Sequence, residues 1–141
     1  MILNRLVEYP NGGAVNEYML LVRNRQNHSD AWPPERHREF LEACETYIGE
    51  LERGDSLVAA QPLVRDGVIL TKEGAEWKEA PLEHKPDIQV GYYHIRAASL
   101  EDAIAYAKGN PEFEYSPTAR IEVRPLKVSE PETGFDYPSE G

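Results

Sequence analysis

Arginine, tyrosine and histidine recur at alternate positions in two β-prone stretches, and that spacing is the strongest chemical signal in the chain. In Gly91-Tyr92-Tyr93-His94-Ile95-Arg96, a period of two puts Gly91, Tyr93 and Ile95 on one face and Tyr92, His94 and Arg96 on the other. The stretch from Arg120 to Arg124 behaves alike, with Arg120, Glu122 and Arg124 opposite Ile121 and Val123, and Arg23 closes an earlier apolar run in line with Met19 and Leu21. If the apolar sets face the helices, four arginines share one face with Tyr92 and His94. Guanidinium groups clamp planar anions through paired hydrogen bonds. The expected ligand-binding set is therefore Arg23, Tyr92, His94, Arg96, Arg120 and Arg124, for a small anionic or aromatic molecule. The competing reading has Glu122 and other acids neutralise these arginines in structural ion pairs.

The remaining reactive side chains say less. His94 titrates near neutrality and could move a proton, which makes it the one weak catalytic candidate, but no acid is placed beside it by spacing, so binding ranks ahead of catalysis. His28 with Asp30 is a short loop pair in a solvated turn, while His37 and His84 lie among charged residues and read as surface. Cys44 falls on an apolar helical stripe and reads as a small core hydrophobe. Trp32 and Trp77 sit in expected loops, where they cover the edge of the core. Four histidines and one cysteine show no metal-ligand spacing, and there is no phosphate-cradling glycine loop, so neither a metal nor a cofactor is expected.

Several elements must position these groups. Tyr18 to Val22 is a short apolar run that reads as the first core strand. Pro33-Pro34 opens a helix carrying Phe40, Cys44, Tyr47, Ile48 and Leu51 at helical spacing, with Gly54 as its stop. Leu57 to Val64 and Val68 to Thr71 flank Arg65-Asp66-Gly67 and predict a hairpin, whereas Lys72 to Asp87 is charged and aperiodic and reads as a loop with a brief extended piece near Trp77. Gln89 to Arg96 is a strand. Ser99 caps a second helix that ends at Gly109, and Arg120 to Arg124 is a half-buried last strand. This order predicts an α+β, ferredoxin-like sandwich with an added hairpin, both helices covering one face of a mostly antiparallel sheet.

Composition bounds the rest. The 141 residues suit one domain able to build its own core, and a net charge of -10 argues against general binding to nucleic acid. A single cysteine, no signal-like leader and no apolar run near the roughly 18 residues of a membrane span predict a soluble cytoplasmic protein. Residues 1–16 read as an extension, set off by Pro10-Asn11-Gly12-Gly13, and residues 128–141 as an acidic mobile tail with Glu130, Glu132, Asp136 and Glu140.

Five pieces in order and at the right approximate spacing carry a family resemblance: Glu17-Tyr18-Met19-Leu20-Leu21-Val22, Gly54-Asp55-Ser56-Leu57, Gly91-Tyr92-Tyr93-His94-Ile95, Ser99-Leu100-Glu101-Asp102-Ala103-Ile104 and Ile121-Glu122-Val123-Arg124-Pro125. Over residues 17–127 the chain resembles the YCII-related family, in particular its DGPF-type branch, although Thr71-Lys72-Glu73-Gly74-Ala75 stands where the naming motif would be. The resemblance implies a dimeric α+β barrel, in which two sheets pack through the faces that helices leave open. It also implies a bacterial chain found alongside extracytoplasmic-function sigma factors. Where some YCII-like enzymes hold a helical histidine, Cys44 stands here. Three roles follow: a homodimeric small-molecule binding module, an accessory protein acting on a partner such as a sigma factor through the acidic tail or the long loop, or a small lyase or isomerase using His94.

Overall fold

The computed structural model describes residues 16–138; the expected N-terminal extension, apart from Asn16, lies outside them. In chain order the elements are β1 (Asn16–Asn24), α1 (Pro34–Arg53), β2 (Leu57–Pro62), β3 (Val68–Glu73), β4 (Glu76–Pro81) and β5 (Ile88–Ala97). They continue with α2 (Leu100–Lys108), α3 (Pro111–Tyr115), β6 (Arg120–Pro125), β7 (Ser129–Glu130) and β8 (Phe135–Asp136). The main sheet runs β2-β5-β1-β6 and is antiparallel throughout. This is a mostly antiparallel α+β arrangement compatible with a ferredoxin-like fold.

The alternation in β1 sets the layering. Asn16, Tyr18, Leu20, Val22 and Asn24 are buried, while the residues between them are only half-buried. Tyr18, Leu20 and Ile95 lose all contact with solvent and pack with Tyr47 and Leu51 of α1 and Leu100, Ala103 and Ala107 of α2. Burial of each such large side chain contributes about 1.5–3 kcal/mol. Both helices therefore lie on the Tyr18 face, and the opposite face is left open. Val22, Ile88 and Val90 form a second, smaller cluster at the far end of the sheet.

Helix ends follow local chemistry. The Ser99 hydroxyl accepts the Asp102 N–H at 3.1 Å at the start of α2, as the sequence predicts. At the end of α1, Gly54 follows the last helical residue as the sequence predicts but keeps φ at -85°, and Asp55 takes the left-handed φ of 58°. The Ser56 N–H then reaches the Leu51 carbonyl at 2.8 Å and the Asp55 N–H the Glu52 carbonyl at 3.0 Å, which closes the helix and aims the chain into β2.

The expected hairpin across Arg65-Asp66-Gly67 does not form. Instead β2 pairs with β5, and the Leu63 N–H extends that edge by donating to the Val90 carbonyl at 2.9 Å. The hairpin is β3 with β4, joined through Gly74, whose φ of 58° suits a tight turn that Gly67 does not make. The segment read as a loop thus holds β4, the turn and the last two residues of β3. Both strands are exposed along their whole length, so no buried face imposes the period of two that would have revealed them. In the acidic segment, β7 and β8 pair as a second short hairpin, with the Phe135 and Tyr137 rings edge to face at 5.2 Å.

Candidate functional site

Register places all six expected residues on the open face. Across the sheet, Ala59, His94, Met19 and Arg124 form one row from β2 to β6, and Gln61, Tyr92, Leu21 and Glu122 form the next. Glu17 stands opposite Arg96 at one end, and Arg23 lies between Gln89 and Arg120 at the other. Each central row mixes two polar side chains with two less polar ones and ends on a charged group of β6, and the two ends of the face are charged.

The four arginines divide into two kinds. Arg23 and Arg120 converge on Asp87, a buried carboxylate just before β5: Arg23 Nε lies 2.9 Å from Oδ1, and Arg120 donates through Nε at 2.7 Å to Oδ2 and Nη2 at 3.2 Å to Oδ1. The Arg120 guanidinium first, then that of Arg23, holds the Asp87 carboxyl below its usual range against the opposing effect of burial. For this pair the ion-pair reading of the sequence describes the geometry, though the acid is Asp87 and not Glu122. Arg96 reaches the Asp55 and Leu57 carbonyls at 3.4 and 3.5 Å and lies 3.6 Å from the Asp55 carboxylate, which is fully in solvent and contributes little. Arg124 makes no hydrogen bond or ion pair among the described residues.

His94 has the acid that spacing did not disclose. Its Nε2 lies 2.6 Å from Glu17 Oε1, and the two side chains are only 18% and 15% exposed. The carboxylate accepts from Nε2–H and so leaves Nδ1 as the ring's acceptor in the neutral form. Glu17 sits two residues from the His94 row, so only the β1–β5 register brings it near. Tyr92, half-buried, shares the face two residues away on β5.

The loop histidines find other partners. His28 does not rely on Asp30: its Nε2 lies 3.2 Å from Glu112 Oε2 on α3, and its Nδ1 faces the Arg25 carbonyl at 3.1 Å. Glu112 also accepts from Asn24 Nδ2 at 2.8 Å, while Asn24 Oδ1 accepts from the Arg25 N–H and the Ser116 and Thr118 hydroxyls. His84 is half-buried rather than fully on the surface, held by Gln26 and by the Arg65 carbonyl. His37 packs its exposed ring on Trp32, which covers the core edge with Phe40 and Tyr115 while the Arg36 guanidinium lies over both Trp32 and Tyr115.

Cys44 is half-buried on α1, and burial pushes its thiol up to about 11, in keeping with an inert side chain at neutral pH. It lines a 480 Å³ cavity between α1 and the β2–β5 edge, which none of the arginines lines but which Gln61 and Tyr92 of the open face also border. Among the described residues no group of His, Cys, Asp and Glu is arranged to hold a metal, and no helix is long and apolar enough to cross a membrane. The chain matches no protein-family model, and no curated protein matches it.

Proposed function

We propose that this chain is a YCII-related, homodimeric binding module for a small anionic molecule, held on the open face of the main sheet. One observation carries the reading: Arg124 has no partner among the described residues, while its row also holds His94, whose Nε2 meets Glu17 of the neighbouring row. Two strand spacings separate Arg124 from His94, about 10 Å, a span that a small aromatic or dicarboxylic acid bridges. Arg124 supplies charge, His94 Nδ1 accepts from a ligand hydroxyl, and Tyr92 and Met19 offer an apolar floor. Arg23 and Arg120 lose their ligand role to Asp87, and Arg96 stands at the margin of the site.

A second copy is the natural cover. An open sheet face that carries Met19 and Leu21 on its central strand and charges of both signs around them can close against its own twofold image, and pairing of two such faces makes a barrel. The β3–β4 hairpin supports pairing as well, because Val68, Leu70 and Trp77 are each more than half exposed and an isolated two-stranded hairpin is marginal in water.

Light scattering on the full chain together with a thermal-shift series against benzoate, citrate and phosphate tests this reading. A dimer is expected, and a ligand at about a hundred times its dissociation constant adds about 2.7 kcal/mol of stability. Arg124→Met abolishes the shift, whereas Arg120→Met keeps it. A monomer, a flat series, or a shift that survives Arg124→Met refutes the proposal. The Glu17–His94 contact also favours a second reading, proton transfer by His94 Nδ1 with Glu17 fixing the ring. Once a converted substrate is found, full turnover by His94→Gln removes it.

A further inference from the structure

The cavity behind the sheet has a chemistry unlike that of the open face. Its walls are largely apolar, formed by Cys44 and Ile48 of α1, Ala60 of β2 and Val90 of β5, with Leu41, 63% exposed, on the solvent side. No lysine, arginine or histidine lines it, and the two charged residues that do, Glu45 and Glu112, are both acids. An anion entering would meet like charge and no cation; a cation would lose its hydration against an apolar wall. The space suits a neutral molecule, and its volume falls within the ordinary range of small-ligand pockets.

One polar group in that lining has no hydrogen-bond partner. Asn110 is 4% exposed, and its Oδ1 accepts the Glu112 N–H at 2.8 Å, but its Nδ2 has no hydrogen-bond partner among the described residues. Native proteins rarely leave such a buried donor unmatched. Tyr93, whose phenol is kept protonated by burial against the opposing pull of the Asn110 side chain, packs edge to face on Tyr47 at 5.3 Å and lines the same cavity; its oxygen takes at most one of the two Asn110 N–H groups. An apolar space with one unmatched donor in its wall is complementary to a ring that carries one acceptor.

We propose that this cavity binds a neutral, largely apolar molecule of aromatic-ring size whose single hydrogen-bond acceptor, a carbonyl or ether oxygen, takes the free N–H of Asn110. The site goes beyond the open-face reading: Tyr92 borders both, but Asn110 and Cys44 belong to the cavity alone, and His94 and Arg124 do not line it. Glu112 links it to the buried network of Asn24, His28, Ser116 and Thr118, which holds α3 and the β1 end in place around the bound molecule.

Cys44, the one cysteine of the chain, reports on occupancy. The full chain is alkylated with iodoacetamide in the presence of acetophenone, ethylbenzene or benzoate, which share a ring and differ in acceptor and charge. At ten times its dissociation constant a bound probe leaves one site in eleven free, so acetophenone slows alkylation about elevenfold. Ethylbenzene, lacking the acceptor, needs a higher concentration for equal protection, and benzoate gives none. In Asn110→Leu the advantage of acetophenone over ethylbenzene disappears while both still protect. If that variant does not fold, the side-chain amide signal of Asn110 in the proton–nitrogen spectrum of the unaltered chain decides: it moves downfield with acetophenone, which accepts its hydrogen bond, and not with ethylbenzene, whose ring alone acts on it. No protection by either neutral probe, equal protection by benzoate, an advantage that survives Asn110→Leu, or an unmoved Asn110 signal overturns the proposal.

Discussion

Replacement of Asp87 by asparagine keeps the size of the side chain and removes the charge on which Arg23 and Arg120 converge. Three charge-assisted hydrogen bonds of 2.7–3.2 Å are weakened together. A hydrogen bond to a charged group contributes about 1.5–3 kcal/mol, and an exposed ion pair about 0–1. The Arg23 side chain is 29% exposed and Arg120 61%, so the Arg23 contact falls in the first class and the Arg120 contacts in the second. The expected loss at pH 7 is therefore about 2 kcal/mol, or about 1 M in the urea midpoint. Its pH dependence follows from the direction of the shift. Because the folded carboxyl titrates below its unfolded value of about 3.9, the stabilisation is complete above that value and lost as pH falls through the folded one. Urea unfolding of both proteins from pH 7 down to pH 3 should show a constant gap that closes below about pH 4, other carboxylates cancelling in the comparison. A gap under about 0.5 kcal/mol at pH 7, or one that widens in acid, refutes the argument that Asp87 is the structural sink for these two arginines.

Two further outcomes test the network and the cavity wall. Asn24→Leu removes the group that joins Glu112 to the Ser116 and Thr118 hydroxyls in a fully buried position, and costs about 3 kcal/mol in chemical denaturation; a loss below about 1 would mean that water replaces the amide at no penalty. The Cys44 thiol, raised from 9.0 to about 11, should react with iodoacetamide at pH 8 about a hundredfold more slowly in the folded chain than in urea, its rate still climbing past pH 10; equal rates would place the thiol in solvent.

Much of this arrangement is legible in local pattern. Alternation in β1, β5 and β6 assigns Tyr92, His94 and the four arginines to one face, because each of those strands has one side against the helices and one side open. The Ser99 cap and the apolar stripe of α1 are equally local, since a hydroxyl that meets an N–H three residues on, or a side chain that returns after one turn, needs no distant partner. The β3–β4 hairpin was hidden for the converse reason: exposed on both sides, it carries no periodic hydrophobicity, and its turn glycine is one of several in the region.

What the amino-acid order determined by itself, then, is which face the side chains of β1, β5 and β6 take and where α1 and α2 start, whereas the short α3 after Pro111 went unread, because backbone geometry repeats every 2 or 3.6 residues only where the chain stays extended or helical for long enough. Only the tertiary structure decided what those side chains meet. Asp87 lies 64 residues from Arg23, Glu17 lies 77 from His94, and Glu112 lies 88 from Asn24, so each contact depends on strand order and register rather than on spacing. The same long-range packing turns two of four similar arginines into struts, leaves Arg124 open, gives His94 an acid and forms a half-open cavity beside Asn110. Charge neutralisation, desolvation and enclosed volume are properties of groups brought together in space, and no local repeat encodes them.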